Sequence, residues 1–218
     1  NNLSGKLQES RIMKPFLFIF QHMDTSIVNG KAYLPVMLSE TVSDLYFRYS
    51  PRSRKEIIKA SKISGIENES ISQFVGSLAQ EVNVYDNFIT LFQKNFASPI
   101  NSSGLLYYRY YLVDSAAIDG KWCYNIMFKP RFKQATAFTG NLWVNDTTFA
   151  VKKLDMRIVN DANVNFVNDY IISQDFDKVS DKHWMLTREK QMADFNIFED
   201  AKKTTGFYGT RTLVYSGH

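Results

Sequence analysis

The chain has 218 residues, of which 44% are hydrophobic and 15% aromatic, so it can bury a substantial core as one large domain or two small ones. It contains only 10 Gly and 5 Pro, which excludes collagen-like, low-complexity and mostly disordered proteins. The 26 basic and 22 acidic residues give a net charge of +4, a mildly basic balance that specifies no partner by itself.

The first part of the chain mixes several patterns. Residues 11–21 are an apolar stretch that fits either a strand or a short helix, and residues 33–38 are strand-like but interrupted by a proline. Two further strand-like runs, residues 41–49 and 56–63, flank the sequence Ser-Pro-Arg-Ser at 50–53, which is typical of a hairpin turn. A helix beginning at the second of these serines is the alternative, because a glutamate three residues later completes a capping box.

A helix is predicted over Ser70 to Val82. Ser70 and Gln73 form a capping box, and the apolar residues that follow recur at helical spacing. A further helical turn is indicated at Phe88 to Phe92 by the same kind of spacing. These elements present an apolar side that should pack on a sheet.

From residue 105 to the end, alternation with period two predicts strands. An Asp119-Gly120 pair between two such runs is a strong signal for a hairpin. In the second run, alternate residues from Trp122 to Phe128 lie on one face. Pro130 should end this strand. The predicted strands are residues 105–114, 122–128, 138–144, 149–159, 165–175, 184–195 and 205–215. Short connections between consecutive strands favour one antiparallel meander.

The predicted fold class is therefore α+β: a curved, mostly antiparallel sheet, or half-barrel, with one or two helices packed on its concave face. We find no linker-like stretch that would divide the chain, so a single domain is expected over residues 1–218. The chain does not begin with Met and shows no signal peptide, which indicates a fragment of a longer protein.

Catalytic and metal-binding patterns are missing from the sequence. The single cysteine, Cys123, lies in a strand-like run and is expected to be a buried apolar thiol. The three histidines, at positions 22, 183 and 218, lack the spacing of a metal site, although two of them have a carboxylate two residues away. We therefore expect no enzyme activity, no cofactor and no metal.

Nucleic-acid binding is also disfavoured by the distribution of charge. Basic residues cluster only at 52–55 and 129–133, and both clusters are interpreted as solvated turns. We expect no nucleic-acid partner.

Two stretches together resemble a known family. The first includes Tyr33-Leu34-Pro35-Val36 and Ser39-Glu40-Thr41-Val42-Ser43; the second includes Val84-Tyr85-Asp86-Asn87-Phe88 and the run from Leu106 to Asp114. They are similar to an uncharacterised family of envelope proteins of Gram-negative, gut-commensal-type bacteria, over about residues 33 to 215. Members of that family carry a carboxypeptidase-regulatory-like domain in front and an outer-membrane β-barrel behind, which implies that this chain is the periplasmic domain between them.

Residues 122–195 show a fainter resemblance. Phe128-Lys129-Pro130, the run from Phe138 to Val144 and the run from Phe149 to Leu154 are similar to the lipoprotein-localisation fold. That fold is an incomplete barrel whose apolar concave face holds acyl chains, which are stabilised by roughly 0.8 kcal/mol per buried CH₂. The residues expected to line such a groove are Phe128, Trp143, Leu154, Phe166, Tyr170 and Trp184.

Two functions are predicted from these resemblances. The first is a non-enzymatic periplasmic domain, attached to the outer membrane through a region outside this chain, that binds a lipid, a lipoprotein or another apolar ligand. The alternative is a structural or interaction module that docks to the protein's own C-terminal barrel or to an envelope partner and holds no small molecule. A filled core would distinguish the second from the first.

Overall fold

The computed structural model describes residues 24–25, 32–33, 37–48, 50–51, 53–65, 76, 78, 80–162, 164–165, 167–180, 183–196 and 206–217. The chain divides into two compact units, Asn1–Ser72 and Gln73–His218.

The first unit contains two antiparallel strand pairs. Strand β1 (Asp24–Thr25) pairs with β2 (Ala32–Tyr33), and the much longer β3 (Met37–Arg48) pairs with β4 (Ser53–Gly65). The predicted hairpin is thereby confirmed. The alternative helix is wrong, because the chain is extended from Ser53 onward and pairs with β3 along the full length of that strand.

The second unit is built on a seven-stranded antiparallel sheet in which neighbours in space are neighbours in sequence. It is preceded by a small hairpin and a one-turn helix. The hairpin and helix are β5 (Phe88–Leu91), β6 (Lys94–Ala97) and α1 (Gly104–Tyr107); the sheet is β7 (Tyr108–Ile118), β8 (Lys121–Pro130), β9 (Phe138–Asn145), β10 (Val151–Ile158), β11 (Val167–Ser180), β12 (His183–Asn196) and β13 (Gly206–Val214), with a 3-10 turn at Asn160–Ala162. The sheet is open, with β7 and β13 at its two edges.

The meander prediction is confirmed in this part of the chain. Asp119 and Gly120 form the two-residue turn between β7 and β8, both with positive φ (49° and 73°), as hairpin turns of the mirror-image type require. Strand β8 ends at Pro130 as expected. Mostly antiparallel sheet with very little helix is therefore the observed architecture.

Two local predictions are wrong. The segment from Phe88 is strand β5, in which exposed and buried residues alternate and Ile89 and Leu91 point into the core. Leu105 and Leu106, predicted as the start of a strand, belong to α1 and are largely exposed. Short apolar runs satisfy both periodicities, so tertiary packing decides between them.

The helix predicted over residues 70–82 lies mostly outside the described residues. Gly76 and Leu78 are helical, whereas residues 80–83 are not. Val82 is buried, but it lies in a non-helical segment. The carbonyls of Gln80 and Val82 accept hydrogen bonds from glutamine side chains of the sheet, which replace the partners that a helix would supply.

One face of the seven-stranded sheet forms the main core. Residues aligned across β9 to β12 by the strand register are buried on this face, and the β5–β6 hairpin with its flanking segments packs against them. The largest fully buried side chains of the core are Tyr108, Tyr170, Phe96, Phe128, Phe138, Leu91, Leu154, Met156 and Ile172. The residues in between lie on the opposite face of the sheet.

Candidate interaction surface

Three of the six residues predicted to line a groove lie in this core. Phe128, Leu154 and Tyr170 each have no exposed surface. The Phe128 ring packs edge-on against Tyr108 at a centroid distance of 5.6 Å, and Tyr170 packs edge-on against Phe92 at 5.0 Å. The apolar face that carries these side chains is therefore covered by the protein's own chain.

The other predicted groove residues do not join them. Trp143 pairs with Lys153 and Asn125 on the opposite face of the sheet, because it neighbours the core residue Leu142 in the strand. Trp184 is half-buried at the margin of the core, with the Lys121 ammonium 4.7 Å from its ring centroid. Phe166 lies outside the described residues.

A buried tyrosine hydroxyl fastens the β5–β6 hairpin to the sheet. Tyr108 in β7 donates a hydrogen bond to the carbonyl of Ala97 at 2.5 Å and accepts one from the backbone N–H of Phe138 at 3.1 Å. Burial raises the pKa of this phenol well above its usual range. The hydroxyl therefore stays neutral and serves as a structural link.

The core face also holds a buried polar network that sequence reasoning missed. Glu189 is 3% exposed, and its carboxylate accepts hydrogen bonds from the side-chain amides of Gln174 at 2.6 Å and Gln191 at 2.8 Å. The same two amides donate to the carbonyls of Val82 and Gln80, and Tyr170 donates to Gln191. These hydrogen bonds attach the covering segment, which includes Leu78, Gln80 and Val82, to β11 and β12.

The electrostatics of this network centre on Glu189. Burial raises the pKa of the carboxyl, although hydrogen bonds from Gln174 and Gln191 and the positive charge of Arg211 oppose the shift. The network is buried within the core, and its glutamines fix the position of the backbone at Gln80 and Val82. The signal that could have revealed it is a glutamine at 174 between the apolar Ile172 and Phe176 of the same strand face.

A second buried charge cross-links three elements at one end of the sheet. The Lys152 side chain is 4% exposed, and its ammonium lies 2.8 Å from Asp119 and 2.5 Å from Asp177. Burial disfavours the charged ammonium, but hydrogen bonds to the two aspartates outweigh it and raise the pKa of Lys152. Nearby Cys123 is fully buried in β8, as predicted, and burial raises the pKa of its thiol.

Replacing Lys152 with methionine is expected to destabilise the second unit by about 1–2 kcal/mol, because two aspartates lose a shared counter-ion. The cost stays below that of a fully buried pair, since both carboxylates reach solvent. Denaturant unfolding measures the change. Lys153→Met is the matched control: its pair with Asp155 is 40% exposed on both sides, so a change under about 0.5 kcal/mol is expected. Equal losses of stability in the two variants would contradict a larger contribution of the buried Lys152 to folding.

The β3–β4 hairpin carries the largest set of exposed apolar side chains on one element. Eight of them are more than a third exposed: Leu38, Val42, Leu45, Tyr46, Phe47, Ile57, Ile58 and Ile63. The register places four on each face of the ribbon. Contiguous exposed apolar surface marks interaction sites, and a two-stranded ribbon alone is marginally stable in water. The hairpin is therefore the candidate interaction surface.

Polar side chains hold the two strands of the hairpin together. Lys59 forms a salt bridge with Asp44 at 2.9 Å, and the Ser43 hydroxyl donates to Glu56 at 2.7 Å. The hydroxyls of Thr41 and Ser61 lie 3.2 Å apart in the next part of the ribbon. These contacts link the two strands of the hairpin. The apolar side chains of the hairpin remain exposed and accessible to a partner.

A shallow depression of about 460 Å³ lies beside α1 and is lined by residues 99–106 and Tyr110. Its wall is fixed by the Tyr110 hydroxyl, which donates to the carbonyl of Pro99 at 2.7 Å. Tyr110 is the one titratable side chain in the lining, so the depression presents no charged group to a ligand.

Within the described residues, no group of three or more His, Cys, Asp or Glu side chains is placed to hold a metal ion. His183 contacts Ser180, with its Nδ1 2.9 Å from the hydroxyl, while His22, Asp181 and His218 lie outside the described residues. The helices in that part of the chain are all too short or too polar to cross a membrane.

Comparison with known protein families places the chain in one of them. Residues 11–212 match the sequence profile of a family of unknown function, DUF5686. The chain belongs to this family. No curated protein and no solved structure matches it. DUF5686 is a family of unknown function, so membership assigns neither an activity nor a ligand to this DUF5686 chain.

Proposed function

We propose that the chain is a non-enzymatic interaction module of an outer-membrane protein and that its β3–β4 hairpin docks onto the membrane-embedded barrel of the same protein. The observation that carries the proposal is the exposure of eight large apolar side chains on both faces of this hairpin. A ribbon of this kind gains stability when a partner covers it, at about 25 cal/mol for each Å² of apolar surface buried.

The packing of the second unit favours this function over an apolar-ligand groove. Phe128, Leu154 and Tyr170, which a groove would need at its surface, are fully buried against other side chains of the core. The proposal retains half-barrel curvature of the sheet, with the helical residues 76 and 78 on its concave side. Leu78 supports this part, since it is buried in the same core as the sheet.

Location in the periplasm and attachment to a barrel are parts of the proposal. Both are supported by the resemblance of the two sequence stretches to envelope proteins that carry a barrel behind this region. The exposed apolar side chains of the hairpin give the attachment a physical basis, because a barrel in the same polypeptide is always present at high effective concentration.

Site-specific photo-crosslinking in the full-length protein tests the docking. A photoreactive amino acid is placed at Ile58, in the middle of the hairpin, and a protease site is inserted between this chain and the barrel. After irradiation of intact cells and cleavage, we expect the two parts to migrate together on a denaturing gel. Thr147, exposed in the turn between β9 and β10, is the control position and should give two separate parts.

Separate parts at Ile58 would contradict the proposal, and so would equal cross-linking at Thr147, which would indicate general proximity. Placing the photoreactive group at Val42 and at Leu45 as well samples both faces of the ribbon. Docking through one face predicts that one of these two positions cross-links much more strongly than the other.

A further inference from the structure

The turn between β7 and β8 contains the one Asp-Gly pair of the sequence, Asp119-Gly120. The Asp119 side chain is 73% exposed, so water reaches the turn. Glycine has no side chain to shield its backbone nitrogen, and this nitrogen can therefore approach the side-chain carboxyl carbon of the aspartate before it. The turn is thus the place in the chain where the sequence most favours a spontaneous rearrangement of an aspartate.

Such a rearrangement proceeds through a cyclic imide. The backbone nitrogen of Gly120 forms a bond to Cγ of Asp119, and the carboxyl group loses its hydroxyl, which leaves with the proton of that nitrogen as water. Water then adds to one of the two ring carbonyls. One addition restores aspartate, and the other leaves the main chain joined through the side-chain carboxyl, which is isoaspartate. The water released in the first step balances the water taken up in the second.

The neighbouring Lys152 opposes the first step by keeping Asp119 ionised. Its ammonium lies 2.8 Å from the Asp119 carboxylate. The hydrogen bond from Lys152 and its positive charge hold the pKa of Asp119 below its usual range. A protonated carboxyl group loses its oxygen as water far more readily than a carboxylate does, so the ion pair reduces the fraction of Asp119 that can react.

The same ion pair restricts the movement of the Asp119 side chain. Ring closure requires the carboxyl group to rotate until Cγ meets the backbone nitrogen of Gly120. The carboxylate is instead bound to a lysine of β10 that is itself 4% exposed and also bound by Asp177 of β11. On either side of the turn, Ile118 and Lys121 are paired in the β7–β8 register. Side chain and backbone are therefore both held at this turn.

We propose that Asp119 is a site of isoaspartate formation and that Lys152 protects it in the folded protein. The inference goes beyond the docking function and does not depend on it. Isoaspartate would add one carbon atom to the main chain of a two-residue turn whose residues both need positive φ. The modification should therefore disturb the start of β8 as well as the contacts of Lys152.

Peptide mapping of the complete 218-residue chain during incubation at neutral and mildly acidic pH tests the proposal. Trypsin releases the peptide of residues 110–121, and isoaspartate-specific fragment ions distinguish position 119 from Asp114 in the same peptide. We expect isoaspartate at 119 to form several-fold faster in folded Lys152→Met than in the folded parent. In urea, where the bridge is absent, the two chains should react at the same rate. Equal rates in the folded proteins would overturn the proposal.

Asp177→Asn is the matched control because it removes the other partner of Lys152 and retains the bridge to Asp119. It should weaken the fold through the same lysine, yet isoaspartate at 119 should form within about twofold of the parental rate, since exposed Asp119 keeps its cation. Equal acceleration in Asp177→Asn and Lys152→Met would overturn the proposal, because transient unfolding would then explain both rates.

The pH dependence in the parent provides a measurement that needs no variant. The rate of isoaspartate formation should decrease as Asp119 ionises. Because Lys152 lowers the pKa of Asp119 only in the folded chain, this decrease should occur at lower pH in the folded parent than in the parent unfolded in urea. Coincident pH profiles would overturn the protective role of Lys152. So would the absence of isoaspartate from folded Lys152→Met, since the backbone of the turn would then suffice for protection.

Discussion

Gly140→Ala is expected to destabilise the second unit by about 3 kcal/mol or more, because two strands approach too closely for a side chain at this position. A Cβ atom on Gly140 would lie 2.0 Å from the carbonyl oxygen of Asp155 and 2.8 Å from the Cα of Met156. Both atoms belong to the backbone of β10, which pairs with β9 at this point. Relief therefore requires the strands to separate, and urea unfolding monitored by tryptophan fluorescence measures the loss.

Gly76→Ala is the matched control for this substitution. Gly76 is exposed and helical, and an added Cβ would have no neighbour within 4 Å. Alanine should stabilise the helix here by up to about 1 kcal/mol, since glycine is the poorer helix former. If Gly140→Ala unfolded at the same urea concentration as the parent, the close approach of β9 and β10 would have no energetic consequence.

The second large effect concerns Glu189. Burial raises its pKa in the folded protein above the ordinary value of 4.5. Above about pH 4.5 the unfolded chain loses this proton while the folded chain retains it, so the free energy of unfolding should decrease as the pH rises toward the folded pKa. Glu189→Gln should remove this contribution, and the difference between the two pH profiles of stability isolates it.

The comparison is designed as a difference because other charged and buried groups also affect the stability of the fold. Arg211 and Glu81 act on Glu189 through their charges, and burial also raises the pKa of Asp169. These groups are the same in both proteins. A difference curve that is flat between pH 4 and pH 8 would contradict a raised pKa at Glu189.

A second substitution at position 189 separates the effect of the charge on stability from that of the hydrogen bonds. Glu189→Leu leaves amide hydrogens of Gln174 and Gln191 without acceptors in a buried site, and we expect a loss of about 2–4 kcal/mol at neutral pH. Glu189→Gln retains an acceptor and should lose much less. If leucine were as stable as glutamine at this position, the network would contribute packing alone.

Most of the sheet could be predicted from the sequence because its signals are local. Period-two alternation and the Asp119-Gly120 turn specify a hairpin without information from elsewhere in the chain. Phe88 to Phe92 could not be assigned in this way, since five residues fit a helical turn as well as a strand. The buried partners of Ile89 and Leu91 in the core decide that choice.

The candidate site was harder to predict, because it depends on which face a residue occupies and on what covers that face. Trp143 was expected beside Leu154, but it is adjacent to Leu142 and therefore points to the other side of the sheet. The exposure of the hairpin had no sequence signal of its own. In the sequence its apolar residues resemble those of any buried strand, and only the structure shows that they are exposed on both faces of the ribbon.

The meander order of the seven-stranded sheet has a consequence for how the chain folds. Each strand pairs with the next along the chain, so every pairing closes a short loop at a small entropic cost. The covering segment instead meets β11 and β13 over separations of 92 and 133 residues, from Val82 to Gln174 and from Leu78 to Arg211. Local strands should therefore assemble first and the long-range cover should close last. During that interval we expect the apolar core face of the sheet to be exposed, so association with other copies of the chain should be most favourable then.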